Sequence, residues 1–266
     1  MNIVVCAKDV VDASEIKIDS TTNKPIIEGI PKKISDIDKN AIEEAIKIKE
    51  KHGGKITSIT VGKPDSKERI KELLAMGADE AILIPYPEKY DYHIVAKLLA
   101  ETIKKINDYN IVICGEASTD LFSGQIGPKI AGILDIPQIT YAFNLNVENN
   151  KITGERNMGD KSVTTESNYP VLVTVTKEIN EPRLPSLMQI LGAANKPIHE
   201  WIADSLLKDI KPKIETLDVK GVLMQRKNIV FEDNIDESID KLVENLSKDG
   251  VLGWYKWYLY IQIIKQ

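Results

Sequence analysis

The chain has 266 residues, of which 35 are Lys or Arg and 40 are Asp or Glu, so its formal net charge is −5. This negative charge argues against a protein whose main role is to bind nucleic acid phosphates. Two cysteines, Cys6 and Cys114, are too few for a disulfide scaffold and indicate a reducing compartment. The first residues lack the pattern of a secretory signal, and no apolar run approaches the roughly 20 residues of a membrane helix. We therefore expect a cytoplasmic protein.

Short apolar runs alternate with longer amphipathic stretches over the first half of the chain. The apolar runs are rich in β-branched residues, as buried strands of parallel sheets are. The amphipathic stretches repeat their apolar residues at helical spacing, and two of them stop at glycines. This alternation predicts βαβ units and a parallel sheet with helices on both faces. The predicted strands are 3–7, 55–62, 80–85, 110–115 and 139–142, and the predicted helices are 38–52, 66–76, 91–106 and 125–134.

The pattern changes after Phe143. Short strand candidates separated by Asn and Gly turns predict antiparallel strands appended to the parallel core, with a hairpin turn at 148–151. Two prolines force residues 180–185 out of the sheet. From residue 197 the chain lacks an apolar core of its own, although 237–246 reads as a helix. We thus predict an α/β domain over 1–195 and an extended arm over 196–266; the appended strand candidates are 144–147, 151–155, 162–166 and 171–176.

The loop after the fourth predicted strand, residues 115–128, is the richest candidate for a ligand site. Ligands of open parallel sheets bind beyond the carboxyl ends of strands, near helix N-termini. Gly124 and Gly127 allow backbone N–H groups to approach an anion, and Pro128 fits a first helical turn. The segment 118–120 offers groups that could bond a ribose or an adenine. The alternative is a capped junction between loop and helix without a ligand, because the loop is neither a Walker loop nor a GxGxxG motif.

Residues that could carry catalysis or hold a metal are scarce. The three histidines are far apart in the sequence, and no Cys and His spacing resembles a metal site. No serine sits in a nucleophile elbow. Cys6 and Cys114 fall in apolar strands, where buried inert thiols are expected, and Glu43 and Glu44 lie among lysines on what we expect to be a solvated helix face. The sequence therefore predicts a nucleotide site without catalytic apparatus.

Several segments together resemble one known family. Residues 180–183 read Asn-Glu-Pro-Arg and are followed by Leu-Pro-Ser-Leu, which resembles the recognition-loop signature of the electron transfer flavoprotein β subunit. The segments 38–45, 74–79, 124–128 and 196–198 match the same family in order and spacing. The resemblance runs from residue 2 to about residue 245.

The resemblance implies a Rossmann-like fold that binds the adenylate part of a nucleotide. That nucleotide is AMP in most members and a second FAD in electron-bifurcating ones. Phosphate contacts would fall on the backbone N–H groups of Gly124, Gln125 and Ile126. Relatives usually have Asn-Pro where this chain has Ser35-Asp36, and AMP-binding members often have Thr where it has Ile126. The implied nucleotide-binding residues are Cys6, Ala7, Ser35, Asp36, Asp38, Val61, Gly115, Ala117, Ser118, Thr119, Asp120, Gly124, Gln125, Ile126 and Gly127.

The resemblance also implies two protein partners and a role as electron carrier, with no enzymatic activity of its own. The redox-active FAD would be held mainly by an α subunit, around which the arm 196–266 would wrap. The recognition loop, residues 180–195, would dock on an acyl-CoA dehydrogenase or a similar flavoprotein through Arg183, Leu184 and the anchoring Leu187. The aromatic stretch 254–266 lies outside the resemblance; it is expected to be a packed terminal element or a subunit contact, with a membrane-surface contact as the alternative.

Two other classes of protein remain as alternatives. A nucleotide-binding regulatory module of the stress-protein type would share the predicted sheet, but the Asn-Glu-Pro-Arg segment and the long arm favour the electron carrier. An adenylate-forming enzyme would need a Ser-Gly-Gly-x-Asp string near the first strand to bind pyrophosphate, and the sequence has none.

Overall fold

The computed structural model describes residues 1–87, 89–148, 150–208, 211–221, 227–232 and 234–252. Contacts divide the chain into two compact units, Met1–Gly221 and Val222–Gln266. The predicted domain boundary at 195/196 and the packing of the arm on a partner stay predictions, and the aromatic stretch 254–266 lies outside the described residues. No helix in the described ranges has the length and apolarity to span a bilayer.

Strands and helices alternate through the first unit as the apolar pattern predicts. The strands are β1 (Asn2–Cys6), β2 (Asp9–Val11), β3 (Lys17–Ile18), β4 (Pro25–Ile26), β5 (Lys32–Ile34), β6 (Lys55–Gly62), β7 (Glu80–Pro85), β8 (Ile111–Gly115), β9 (Gln138–Val147), β10 (Lys151–Asn157), β11 (Ser162–Asn168), β12 (Val171–Val175) and β13 (Ile198–Glu200). The helices are α1 (Asp36–His52), α2 (Lys67–Met76), α3 (Tyr92–Ile106), α4 (Ile126–Leu134), α5 (Leu187–Ala193), α6 (Ala203–Leu206) and, in the second unit, α7 (Ile235–Lys248).

Nine strands form one sheet in the order β11-β10-β9-β12-β8-β1-β6-β7-β13. Six neighbouring pairs are parallel: β9-β12, β12-β8, β8-β1, β1-β6, β6-β7 and β7-β13. On the other side of β9, β10 and β11 extend the sheet as antiparallel strands. The prediction of an α/β fold with a mostly parallel sheet and appended antiparallel strands is confirmed. The short strands β2 and β5 pair separately, as do β3 and β4.

Alternate residues of the central strands fill two cores, one on each face of the sheet. Ile3 and Val5 of β1 face the core that α1, α2 and α5 cover. Val4 and Cys6 face the opposite core, which α3, α4 and α6 cover. The β-branched runs are buried on both sides, as period-2 alternation in a covered parallel sheet requires.

The structure corrects one strand prediction. Residues 171–176 were expected among the appended antiparallel strands, but β12 lies inside the parallel sheet between β8 and β9. All five of its residues are buried, which explains its uninterrupted apolar sequence. The chain thus forms the antiparallel hairpin of β10 and β11 first and then returns to the middle of the sheet.

Two further elements lie where the sequence predicted irregular chain. The recognition loop contains the short helix α5, which begins after Ser186, where the Ser186 hydroxyl and the Gln189 side chain cap each other's backbone N–H groups. Beyond it, β13 adds a parallel edge strand next to β7. Between them, the Lys196 ammonium donates to the carbonyl oxygens of Leu74 and Ala78 at 2.8 and 2.7 Å and so caps the end of α2.

The second unit contains the predicted helix 237–246 within α7. The Asn234 side chain accepts a hydrogen bond from the Glu237 N–H at 3.0 Å and caps its N-terminus. Apolar side chains repeat at helical spacing along α7, and none of its residues is buried. The exposed apolar residues are Ile235, Ile239, Leu242 and Val243.

Candidate functional site

The candidate site lies at the carboxyl ends of β1 and β8, which are neighbours in the sheet with Cys6 beside Cys114. The chain leaves β1 toward β6 on one side, and β8 lies on the other side. This is the point at which the strand order reverses, where open α/β sheets bind their ligands. The predicted strand ends and the 115–128 loop are therefore brought together.

Asp38, in the first turn of α1, joins the two strand ends. Its carboxylate accepts hydrogen bonds from the Lys8 N–H at 2.8 Å and the Gly115 N–H at 3.3 Å. Burial raises the pKa of Asp38 to about 7, against the lowering effect of these two N–H groups. A Cβ atom on Gly115 would lie 2.6 Å from the carboxylate, so only glycine lets α1 approach this strand end.

Lys8 connects the end of β1 to the loop after β8. Its ammonium lies 2.7 Å from the Asp120 carboxylate and 3.5 Å from the Ser118 hydroxyl. Burial opposes ionisation of Asp120, but the hydrogen bonds from Lys8 and Ser118 outweigh it and hold the pKa of Asp120 below its ordinary value. The segment 117–120 thus carries a paired carboxylate beyond the carboxyl ends of the two strands.

The turn at 117–120 also presents a polar atom without a partner. The Thr119 N–H donates to the Ser35 hydroxyl at 3.3 Å, which fixes the turn against the start of α1. The Thr119 hydroxyl oxygen is buried and has no hydrogen-bond partner among the described residues. Because an unpaired buried hydroxyl is costly, this oxygen would gain stability from a polar partner.

The N-terminus of α4 forms the other end of the site. Gly124 has a φ of +61°, a left-handed conformation that glycine adopts without steric cost. Helix α4 begins at Ile126 after Gln125, whose side chain makes no capping hydrogen bond. The first N–H groups of such a helix are free to bind an anion. Above Gly124, a Cβ atom would meet the Tyr141 hydroxyl at 3.3 Å.

Not all of the predicted nucleotide-binding residues offer side chains to this crevice. Cys6, Ala7 and Val61 are buried, so their side chains can only form apolar walls, and polar contacts at these positions fall on the backbone. Burial and the hydrogen bond with Cys6 raise the pKa of the Cys114 thiol, with the hydrogen bond the larger cause, as expected of inert thiols. Asp36 instead pairs with the Lys33 ammonium at 2.9 Å.

Two residues that lie next to this candidate site, Lys8 and Tyr141, are not among the predicted nucleotide-binding residues. Lys8 follows directly after a buried strand, and this position was a usable signal. Tyr141 gave no signal, because its place over Gly124 depends on an irregularity of β9 that no local motif marks.

The recognition loop is anchored to α1 by two carboxylates, of which Glu43 is buried and Glu50 is exposed. The Arg183 guanidinium donates to Glu43 at 2.8 and 2.9 Å, and to Glu50 at 2.6 Å. These two carboxylates raise the pKa of Arg183, Glu50 most. The prediction that Glu43 and Glu44 form a solvated face is wrong: both are buried, because the loop covers this part of α1.

The three predicted docking residues differ in their surroundings: Arg183 is held by contacts within the chain, whereas Leu184 and Leu187 are exposed. Asn180 adds a further contact between the loop and α1, because its side-chain amide donates to the Glu44 carboxylate at 3.0 Å. Burial raises the pKa of Glu44. Arg183 is therefore engaged within the chain. By contrast, Leu184 is 93% exposed and Leu187, the first residue of α5, is 71% exposed, so both are free to contact another protein.

The sequence of this chain has counterparts among known proteins. A family model described as the electron transfer flavoprotein domain matches residues 25–206, more than half of the chain. The electron transfer flavoprotein subunit beta of Thermoanaerobacterium thermosaccharolyticum is 40% identical over 263 residues, which cover 95% of this chain and 100% of that protein. This chain belongs to the electron transfer flavoprotein β subunit family.

Two more relatives extend the comparison. The protein of the same name from Clostridium acetobutylicum is 36% identical over 94% of this chain and 99% of its own length. The caffeyl-CoA reductase-Etf complex subunit CarD of Acetobacterium woodii is 37% identical over 76% of this chain and 78% of its own length. Membership implies a flavin-dependent electron-transfer protein that forms a heterodimer with an α subunit.

Proposed function

We propose that this chain is an electron-carrier subunit that holds the adenylate part of a nucleotide in the crevice beyond the carboxyl ends of β1 and β8, while its α partner holds most of the redox-active FAD. The FAD would supply the electron-transfer chemistry. The observation that carries the proposal is the convergence, in a member of this family, of Asp38, Lys8 and Asp120 with an uncapped helix N-terminus at one strand-order reversal.

Different residues of the crevice would bind the phosphate and the adenosine part of the nucleotide. The N–H groups of Gly124, Gln125 and Ile126 would hold the phosphate, since they lie at the positive end of the α4 dipole. The Thr119 hydroxyl and Ser118 would bind the ribose or adenine. Asp38 would contribute by keeping the ends of β1 and β8 in register. The described residues contain no group of His, Cys, Asp or Glu that could hold a metal.

The adenylate could belong either to AMP or to a second FAD. Ile126 offers no hydroxyl to a phosphate, so at this position only the backbone binds. The name of the CarD relative places that protein in a reductase complex with an Etf, which supports testing for a second flavin and for electron bifurcation. Both sources share the same phosphate-bearing adenosine, and counting nucleotides distinguishes them.

The recognition loop is proposed to dock on the electron donor, an acyl-CoA dehydrogenase or a similar flavoprotein. Leu184 and Leu187 are exposed while the segment that carries them is fixed by Arg183. An apolar anchor on a rigid protrusion loses little conformational entropy on binding, which is typical of an interface hot spot.

The arm 196–266 is proposed to pack on the α subunit. In the second unit, α7 exposes a row of apolar side chains that nothing within the helix can cover. An amphipathic helix of this kind gains its stability by laying that row against another surface.

Co-expression with and without the α subunit tests the proposal. We expect the chain alone to lack stoichiometric, reducible FAD, and the heterodimer to be yellow and to accept electrons from the dehydrogenase. AMP extracted beside one FAD, or two FAD per heterodimer, decides the nucleotide. A lone chain with full FAD and full activity would contradict the proposed division between the subunits.

A further inference from the structure

Strand β9 contains an irregularity at Tyr141. Between Ile139 and Ala142 it has one residue more than the facing stretch of β12 from Val173 to Val175. A register shift also occurs opposite β10, beside Arg156. A bulge of this kind leaves a residue unpaired and redirects its side chain.

The bulge gives Tyr141 an unfavourable backbone conformation. Its φ is +58°, in the left-handed region that bulky residues avoid and that glycine or asparagine would enter more easily. Such conformations persist only where the surroundings enforce them, and they cluster at functional sites.

The surroundings of Tyr141 do enforce it, from both neighbouring strands. The Tyr141 N–H donates to the buried Thr174 hydroxyl at 3.0 Å. From the other side, the Arg156 guanidinium donates to the Thr140 carbonyl at 2.6 Å and to the Thr140 hydroxyl at 2.8 Å. The polar groups that the bulge unpairs thus have replacement partners.

These contacts determine where the Tyr141 phenol lies. Its hydroxyl lies beside Gly124, 3.3 Å from where a Cβ atom would be. Tyr141 is 44% exposed, and its hydroxyl has no hydrogen-bond partner within the part of the chain that the structure describes. It therefore offers a free donor next to the N–H groups that begin α4.

We propose that Tyr141 is a further nucleotide-binding residue, whose hydroxyl donates a hydrogen bond to the phosphate held at the N-terminus of α4. This inference rests on the proposed adenylate site and adds to it a side-chain donor next to Gly124. The bulge in β9, which Thr174 and Arg156 hold in place, directs the phenol to that phosphate. Because Ile126 has no hydroxyl, Tyr141 supplies a hydroxyl donor that position 126 lacks.

The test compares a ligand with a phosphate and one without. Heterodimer stripped of nucleotide is titrated with AMP and with adenosine. For Tyr141→Phe we expect AMP to bind about tenfold or more weakly, as for loss of a hydrogen bond to a charged group, and adenosine to bind as in the wild type. Tyr109→Phe, at the opposite end of β8, is the matched control and should change neither affinity.

Thr174→Val removes the acceptor of the Tyr141 N–H and should produce the same selective loss of AMP affinity by relaxing the bulge. Equal weakening of AMP and adenosine in Tyr141→Phe would overturn the inference, because the phenol would then act only on structure. So would unchanged AMP affinity in Tyr141→Phe while Gly124→Val loses AMP, although the adenylate site itself would stand. If the wild type binds neither ligand, the proposed function fails first.

Discussion

Asp38→Asn tests whether burial of this carboxyl group governs the crevice. The fold raises the pKa of Asp38 from its ordinary 3.8 to about 7, so it favours the protonated form. The protonated Asp38 contributes its full stabilisation to the folded state below the pKa of 3.8 that it has in the unfolded chain, and this contribution is lost as the pH rises through about 7. A shift of this size corresponds to about 4 kcal/mol in total, of which about 3 kcal/mol is lost between pH 5 and pH 8. Asparagine keeps the shape of the neutral carboxyl group and does not titrate.

The assay is urea unfolding of the nucleotide-free protein at pH 5 and pH 8. We expect the free energy of unfolding of Asp38→Asn to rise relative to wild type by about 3 kcal/mol between the two pH values. Asp160→Asn, in an exposed turn, is the matched control and should show no such change. Parallel behaviour of Asp38→Asn and wild type would refute the reasoning, because Asp38 would then be ionised at both pH values.

Two further substitutions separate the anchor of the recognition loop from its docking face. Arg183→Ala leaves the Glu43 carboxylate, whose side chain is 4% exposed, without its cation; we expect a loss of about 2 kcal/mol of stability, less than for a fully buried pair because Arg183 is partly exposed. Its melting temperature should fall well below that of Glu50→Gln, and equal values would contradict the anchoring role. Leu187→Ala should weaken docking to the dehydrogenase by about 2 kcal/mol and leave the melting temperature unchanged. Leu217 is equally apolar and 89% exposed, so the control substitution Leu217→Ala should alter neither quantity. A large fall in melting temperature for Leu187→Ala would mean that Leu187 is part of the core.

Most strands and helices were predictable because local periodicity determines them. β6 and β7 match the predicted ranges, since uninterrupted apolar runs bounded by turns mark buried parallel strands. β12 was misassigned although it has the same signature. Its neighbours along the chain form a hairpin, and strand order depends on contacts that a local pattern does not contain.

The errors at α1 and β9 have a common cause in long-range contacts. Glu43 and Glu44 alternate with lysines and isoleucines as a solvated helix face does, but the loop that buries them lies about 140 residues further along the chain. Tyr141 gives no local signal because Thr174 and Arg156, from two other strands, create its conformation. The loop at 115–128 could be proposed as a candidate from the sequence because glycines and a helix start are themselves local features.

The most direct test of the central claim is the nucleotide content of purified heterodimer, measured after extraction for wild type, Gly124→Val and Gly159→Val. Both glycines have positive φ, so valine strains the backbone at each, but a Cβ atom on Gly159 meets nothing within 4 Å. We predict two adenine nucleotides per heterodimer in wild type and in Gly159→Val, and the loss of one in Gly124→Val. A Gly124→Val heterodimer that is folded and keeps both nucleotides would contradict the assignment of the 115–128 loop.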